Sequence, residues 1–234
     1  MESEWTMKKD TRKLFSILFF FTCLLVLFTL FFFRHYMVAS VVFLTAAFIP
    51  FFIQFERKNV SGRELVVLAI LAAIASVSRI PFASIPSVQP MTFIIITTGA
   101  VFGMESGFVV GALSAIVSNF FLGQGPWTLW QMYAWGLIGV LAGLVRHTFF
   151  IKTSVGRVLF GIGTGFLFSW IMNIWVVLPM IQNISVEQII AIYATSFPFD
   201  LAHALSNAFF LLLFAERWMK IFTRFQKKYG LLET

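Results

Sequence analysis

The residues able to do chemistry in this chain are few and of one kind. Gln89, Asn119, Gln124, Gln131 and Asn173 are amides, Trp127 and Trp130 are indole rings, and Asp200 and His203 add two ionisable groups. Amides and rings recognise a solute by hydrogen bonding and stacking; they do not attack its bonds. General acid–base or metal catalysis wants at least two clustered carboxylates or histidines. The apolar stretches and the connections near these residues offer Asp200, His203 and Glu187, without an Asp-x-x-x-Asp pair or a second histidine at ligand spacing. No Gly-x-x-x-x-Gly-Lys-Ser/Thr loop occurs, so any ATP must be hydrolysed by another chain. The set reads as a binding site, with no catalytic residue, no metal and no cofactor of its own.

Its densest part is 123–135, GQGPWTLWQMYAW. Gly and Pro stop one helix and open the next, and Pro126 suits a first helical turn, where its missing N–H would be unpaired anyway. Trp127, Trp130, Gln131 and Ala134 then follow at three- and four-residue steps, on one helical face. A single tryptophan here reads equally well as an anchor at a membrane boundary. Two glutamines beside the rings point instead to a pocket for a flat, amide-rich solute. Asp200, His203 and Asn207 recur at i, i+3 and i+7 and share a face. An acid deep in lipid costs about 2.5–3.5 kcal/mol on insertion scales, so Asp200 should not face hydrocarbon. It also fits the N-cap of a helix opening near Pro198, where an acid is favoured.

The elements that carry these residues are membrane spans. Of 234 residues, 59% are hydrophobic and 31 are Phe, and the mean hydropathy of +0.91 leaves no room for a soluble domain. In this setting the net charge of +7 marks span ends rather than a nucleic-acid surface. Cys23 is the only cysteine, so disulfide frameworks and cysteine metal sites are excluded. Leu14–Phe33 follows four basic residues but is too long for a signal-peptide core and has no cleavage site after it, so it reads as a retained helix.

Further spans are expected at 36–53, 64–80, 91–103, 107–122, 127–145, 157–180 and from about Pro198 to Ala215. Met104-Glu105-Ser106 is expected as a hairpin turn, Pro81–Pro90 as an ordered non-helical loop, and the segment before Pro198 as an amphipathic surface helix. With the N-terminus inside, 15 of the 17 Lys and Arg fall on the cytoplasmic side; only Arg34 and Arg79 do not. The expectation is an all-α integral membrane protein of eight spans with both termini cytoplasmic. The proline loop, the tryptophan stretch and residues 181–187 then face outward with the start of the last span. Small residues spaced by four (Ala69/Ala73; Gly99, Gly103, Gly107 and Gly111; Gly139/Gly143) allow close helix approach. Most suit internal packing, while Ala69/Ala73 equally suits a docking face.

These features resemble, from Arg63 to about Trp218, the substrate-specific S-component of energy-coupling factor (ECF) vitamin transporters. The resemblance rests on the Arg63-Glu64 lead-in to a helix with Ala69-x-x-x-Ala73, and on the proline-rich outer loop. It rests also on the Thr98-Gly99 to Gly111 hairpin, the outer tryptophan loop and the Pro198-Phe199-Asp200 opening. It implies a six-helix core at 63–218, an extra N-terminal hairpin within 1–53 and a basic tail at 219–234. It further implies that Ala69 and Ala73 meet a transmembrane coupling subunit, which works with two cytoplasmic ATPase subunits. GQGPWTLWQM resembles the branch associated with cobalamin and related corrinoids, while His203 stands where many relatives have lysine. Another vitamin is the nearest rival substrate. A secondary transporter acting alone would show internal repeats, and none is evident; a membrane lipid-modifying enzyme would need the acid–base pair that is missing.

Overall fold

A computed structural model describes residues 61–230, together with 41, 42 and 45. The chain divides into two compact units, Met1–Lys58 and Asn59–Thr234. The expected hairpin at 14–53 lies outside the described residues except for Val41, Val42 and Thr45, which are helical. Every expected site residue belongs to the second unit.

The described residues of that unit form helices α1 (Gly62–Arg79), α2 (Met91–Phe102), α3 (Met104–Leu122), α4 (Trp127–Leu144), the single turn α5 (Phe149–Lys152), α6 (Ser154–Val177) and α7 (Val186–Tyr229). Short 3₁₀ turns at Ile80–Phe82 and Leu178–Met180 follow α1 and α6. Local chemistry sets the starts. Ser61 caps α1 and Glu64 reaches back to the Ser61 N–H at 2.6 Å, while Ser185 and Gln188 build the same box on α7.

Helices α1, α3, α6 and α7 are long and apolar enough to cross a membrane. Helix α2, at 12 residues, rises only about 18 Å, short of a bilayer core of about 30 Å. It is enclosed by α1, α3, α4 and α7, and 11 of its residues are buried, which is why its sequence is apolar all round. A seam of rings joins it to α7. Phe93 stacks on Phe210 at 5.8 Å and meets Trp218 edge-on at 5.4 Å, and Phe102 meets Phe222 at 5.6 Å.

Two expectations change. The turn between α2 and α3 is Gly103 alone, at φ 93°, and Met104–Ser106 already belong to α3. The last stretch does not break at Pro198: α7 is one helix of 44 residues, running through the proline and on through the basic segment beyond Trp218. Proline removes one helical bond. Here the carbonyl without its helical donor is that of Ala194; the neighbouring hydroxyls donate to other carbonyls, Thr195 to Ala191 at 2.8 Å and Ser196 to Tyr193 at 3.0 Å. Asp200 therefore lies inside a helix, 3% exposed, and caps nothing.

The glycines act where backbones touch. A Cβ at Gly99 or Gly107 would fall within 3.0 Å of the Gly139 carbonyl oxygen, and one at Gly111 would meet the Trp135 carbonyl. Helices α2, α3 and α4 thus approach at main-chain distance. Ala69 and Ala73 lie on the other kind of surface, exposed beside Leu65, Ile70 and Val77, while Leu68, Leu71, Ala72 and Ala75 turn inward.

Candidate functional site

Asn119, in the last turn of α3, ties together the end of the unit at which the expected residues cluster. It is buried, and its Nδ2 donates to Gln131 Oε1 at 2.7 Å and Thr128 Oγ1 at 3.0 Å. The Thr128 hydroxyl donates to Gln124 Oε1 at 3.0 Å, and Gln124 Nε2 donates to the Ile116 carbonyl at 2.9 Å. Three of the expected amides are thus joined, Gln131 to Asn119 directly and Gln124 to Asn119 through Thr128. Both N–H groups of Asn119 are used on neighbours, so it braces the 123–126 connection rather than offering donors to a solute.

Arg79, which sequence reasoning left out of the site, completes that network. From the last turn of α1 its Nη1 donates to Asn119 Oδ1 and Ser118 Oγ, each at 3.0 Å. The guanidinium stands 5.1 Å from the Trp135 ring, within cation–π range. No carboxylate pairs with it among the described residues. A signal was present: Arg79 is one of two cations that break the positive-inside bias, and such an exception needs a local cause.

Trp135 closes the core beneath. It is fully buried, its Nε1 donates to Thr92 Oγ1 at 3.1 Å, and Thr92 Oγ1 is also 3.1 Å from His203 Nε2. With Trp135 donating to one lone pair, the hydroxyl can give its proton to His203 Nε2 or accept from it on the second lone pair, according to the ring's tautomer. Phe168 packs on Trp135 at 4.3 Å and edge-on to His203 at 4.9 Å. One hydroxyl and one phenyl ring thus tie α2, α4, α6 and α7 together. Thr92→Val should lower thermal stability by about 1–3 kcal/mol, because two buried ring nitrogens lose their shared partner. An unchanged melting temperature in detergent would show that the bonds are not needed.

The remaining residues divide. Asn173 Nδ2 donates to Ser196 Oγ at 2.7 Å, and Ser196 Oγ lies 3.1 Å from Asp200 Oδ2, so α6 and α7 share a second polar cluster. No Lys or Arg bridges Asp200 among the described residues. Trp130 is 8% exposed and faces Trp175 across 6.4 Å, not Trp127, whose half-exposed ring folds over Gly125. Gln89 donates its backbone N–H to Ser206 Oγ at 3.1 Å. Two buried polar atoms have no partner among the described residues: Trp130 Nε1, a donor, and Gln89 Oε1, an acceptor.

The family described as "ECF transporter, substrate-specific component" matches residues 63–220, about two thirds of the chain and the whole of the helical core. The chain belongs to that family. It is a multi-pass protein of the cell membrane, with four helices able to span it among the described residues.

UPF0397 proteins of Aliivibrio fischeri, Vibrio atlanticus and Aliivibrio salmonicida are each 30% identical to this S-component over 91 residues. The match takes in 37% of this chain and 49–50% of each relative, so the chain spans about half the length of the curated relatives it matches. No solved structure matches.

Proposed function

We propose that this S-component captures a micronutrient at its outer face and carries it inward with a transmembrane coupling subunit and two cytoplasmic ATPase subunits. Cobalamin or a related corrinoid is the substrate first in line. The observation that carries the reading is two buried polar atoms without a partner among the described residues: Trp130 Nε1, on a ring that faces Trp175, and Gln89 Oε1. Buried polar groups without partners are rare, and a ligand bearing both an acceptor and a donor would satisfy these. A solute rich in carboxamides carries both, and indole surfaces suit its large flat ring. Trp127, Trp130, Gln131 and Gln89 are assigned to direct contact. Asn119, Gln124, Asn173, Asp200 and His203 shape the site through the bonds described above.

One observation favours a second reading. Arg79 stands unpaired with any carboxylate and commits only Nη1 to hydrogen bonds among the described residues. A smaller aromatic vitamin with a carboxylate or phosphate would use the rest of its fork. Calorimetry on the purified chain with cobalamin, riboflavin, folate and biotin separates the two. A saturable signal with cobalamin alone supports the corrinoid reading. A response to another of them moves the substrate while keeping the family, and silence from all four removes this account of the site.

Ala69 and Ala73 are assigned to the coupling subunit. Their exposed face is flat and apolar, as close helix association in lipid requires. Ala69→Trp should abolish vitamin uptake in cells carrying the complete transporter while leaving the affinity of the purified chain unchanged. A fall in affinity instead would place this face in the substrate site.

A further inference from the structure

The opposite end of the unit holds a second polar feature, away from the cluster of Asn119 and Asp200. A cavity of about 370 Å³ lies between the start of α6 and the last turns of α7, lined by Arg157, Lys220, Arg224 and Lys227, with Glu216 as the one acid among the described residues. Glu216 is already bridged to Lys220 at 2.6 Å. The lining therefore keeps a large excess of positive charge.

Arg157 distinguishes this cavity from an ordinary basic helix end. It is 7% exposed, whereas lysines and arginines at span ends usually extend into water. Nη1 donates to the Ile151 carbonyl at 2.9 Å and Nη2 to Ser154 Oγ at 3.0 Å, which holds the guanidinium in place. Its Nε is buried and has no partner among the described residues. A held guanidinium in one lining with Lys220, Arg224 and Lys227 matches the tetrahedral oxygens of a phosphate.

The position indicates where the phosphate comes from. Leu212 and Leu213, exposed on α7, precede Glu216 by four and three residues and so share its face. The cavity thus continues a strip of apolar surface, as a lipid headgroup site must. Basic pockets between helices at the membrane boundary are the usual receptors for acidic headgroups. We propose that this cavity binds the headgroup phosphate of an anionic phospholipid, with the acyl chains lying along the Leu212 and Leu213 side of α7.

The test is native mass spectrometry of the full chain, released from detergent after equilibration with phosphatidylglycerol or phosphatidylcholine. At least tenfold preferential retention of phosphatidylglycerol is expected, and Lys220→Gln/Arg224→Gln/Lys227→Gln should abolish the preference. These three side chains are exposed, so that variant should fold. Arg157→Gln should have the same effect, but it also loses bonds to Ile151 and Ser154, so the triple variant is the deciding one. Equal retention of both lipids overturns the proposal, as does a preference that survives the triple variant. Displacement of phosphatidylglycerol by millimolar inorganic phosphate overturns the lipid assignment in favour of a soluble phosphate.

Discussion

Arg79→Ala is expected to weaken binding of the transported vitamin by 100-fold or more, about 2.8 kcal/mol. Two effects combine. Any contact from the free part of the guanidinium to the solute is lost, and hydrogen bonds to charged groups are among the stronger ones. Asn119 Oδ1 and Ser118 Oγ also lose their donor, which releases the network that holds Gln131 and the 123–126 connection. Arg79→Lys separates charge from shape: a single ammonium cannot reproduce the fork, so most of the affinity should still be lost. Calorimetry with the vitamin bound by the wild-type chain, beside melting temperatures of all three proteins, reads this directly. Wild-type affinity in Arg79→Ala would reduce the arginine to a structural clasp between α1 and α3.

Gly139→Leu is expected to remove the folded state, at a cost above about 3 kcal/mol. Overpacking a core usually costs about 1–3 kcal/mol because side chains can shift. At Gly139 the obstacle is main chain: a Cβ there would fall within 3.0 Å of the Gly107 oxygen, carbonyl carbon and Cα. Helix α3 would have to move as a body, and with it the packing of α2 between its neighbours. The control is Gly163→Leu in α6, where nothing lies within 4 Å of the added Cβ. Size-exclusion profiles and melting temperatures in detergent should show aggregate for the first and a wild-type monomer peak for the second. A monodisperse, normally melting Gly139→Leu protein would contradict the three-helix contact.

Residue types predicted the grouping of the site better than its wiring. Asn119, Gln124 and Gln131 do lie together, and Asn173 does meet Asp200 through Ser196, because their helices start and stop at the same end. What each amide touches depends on helix rotation and depth. Asn119 is spent on neighbours while Trp130 keeps a free donor, and nothing in their spacing separates those outcomes. Thr92 and Ser196 carry no signal because each is ordinary in an apolar helix until its partner on another helix is known, and Trp135, the end of the tryptophan stretch, reads from spacing alone as a third ring rather than a buried donor.

Composition and spacing by themselves determined that this is a helical membrane protein with a group of polar side chains gathered at one end of its core; the family came from the resemblance of its motifs and the match over residues 63–220. The physical reason is local: apolar runs must be helical in lipid, and caps, Gly and Pro mark where they end. Only the tertiary structure decided that α7 runs unbroken through Pro198, that α2 is a short enclosed helix, that Asp200 is internal, and that Arg79 and Arg157 are held cations rather than topology markers. Each of those depends on which neighbours supply hydrogen bonds and cover surface. That information lies in contacts between residues far apart in the chain, not in any single stretch of it.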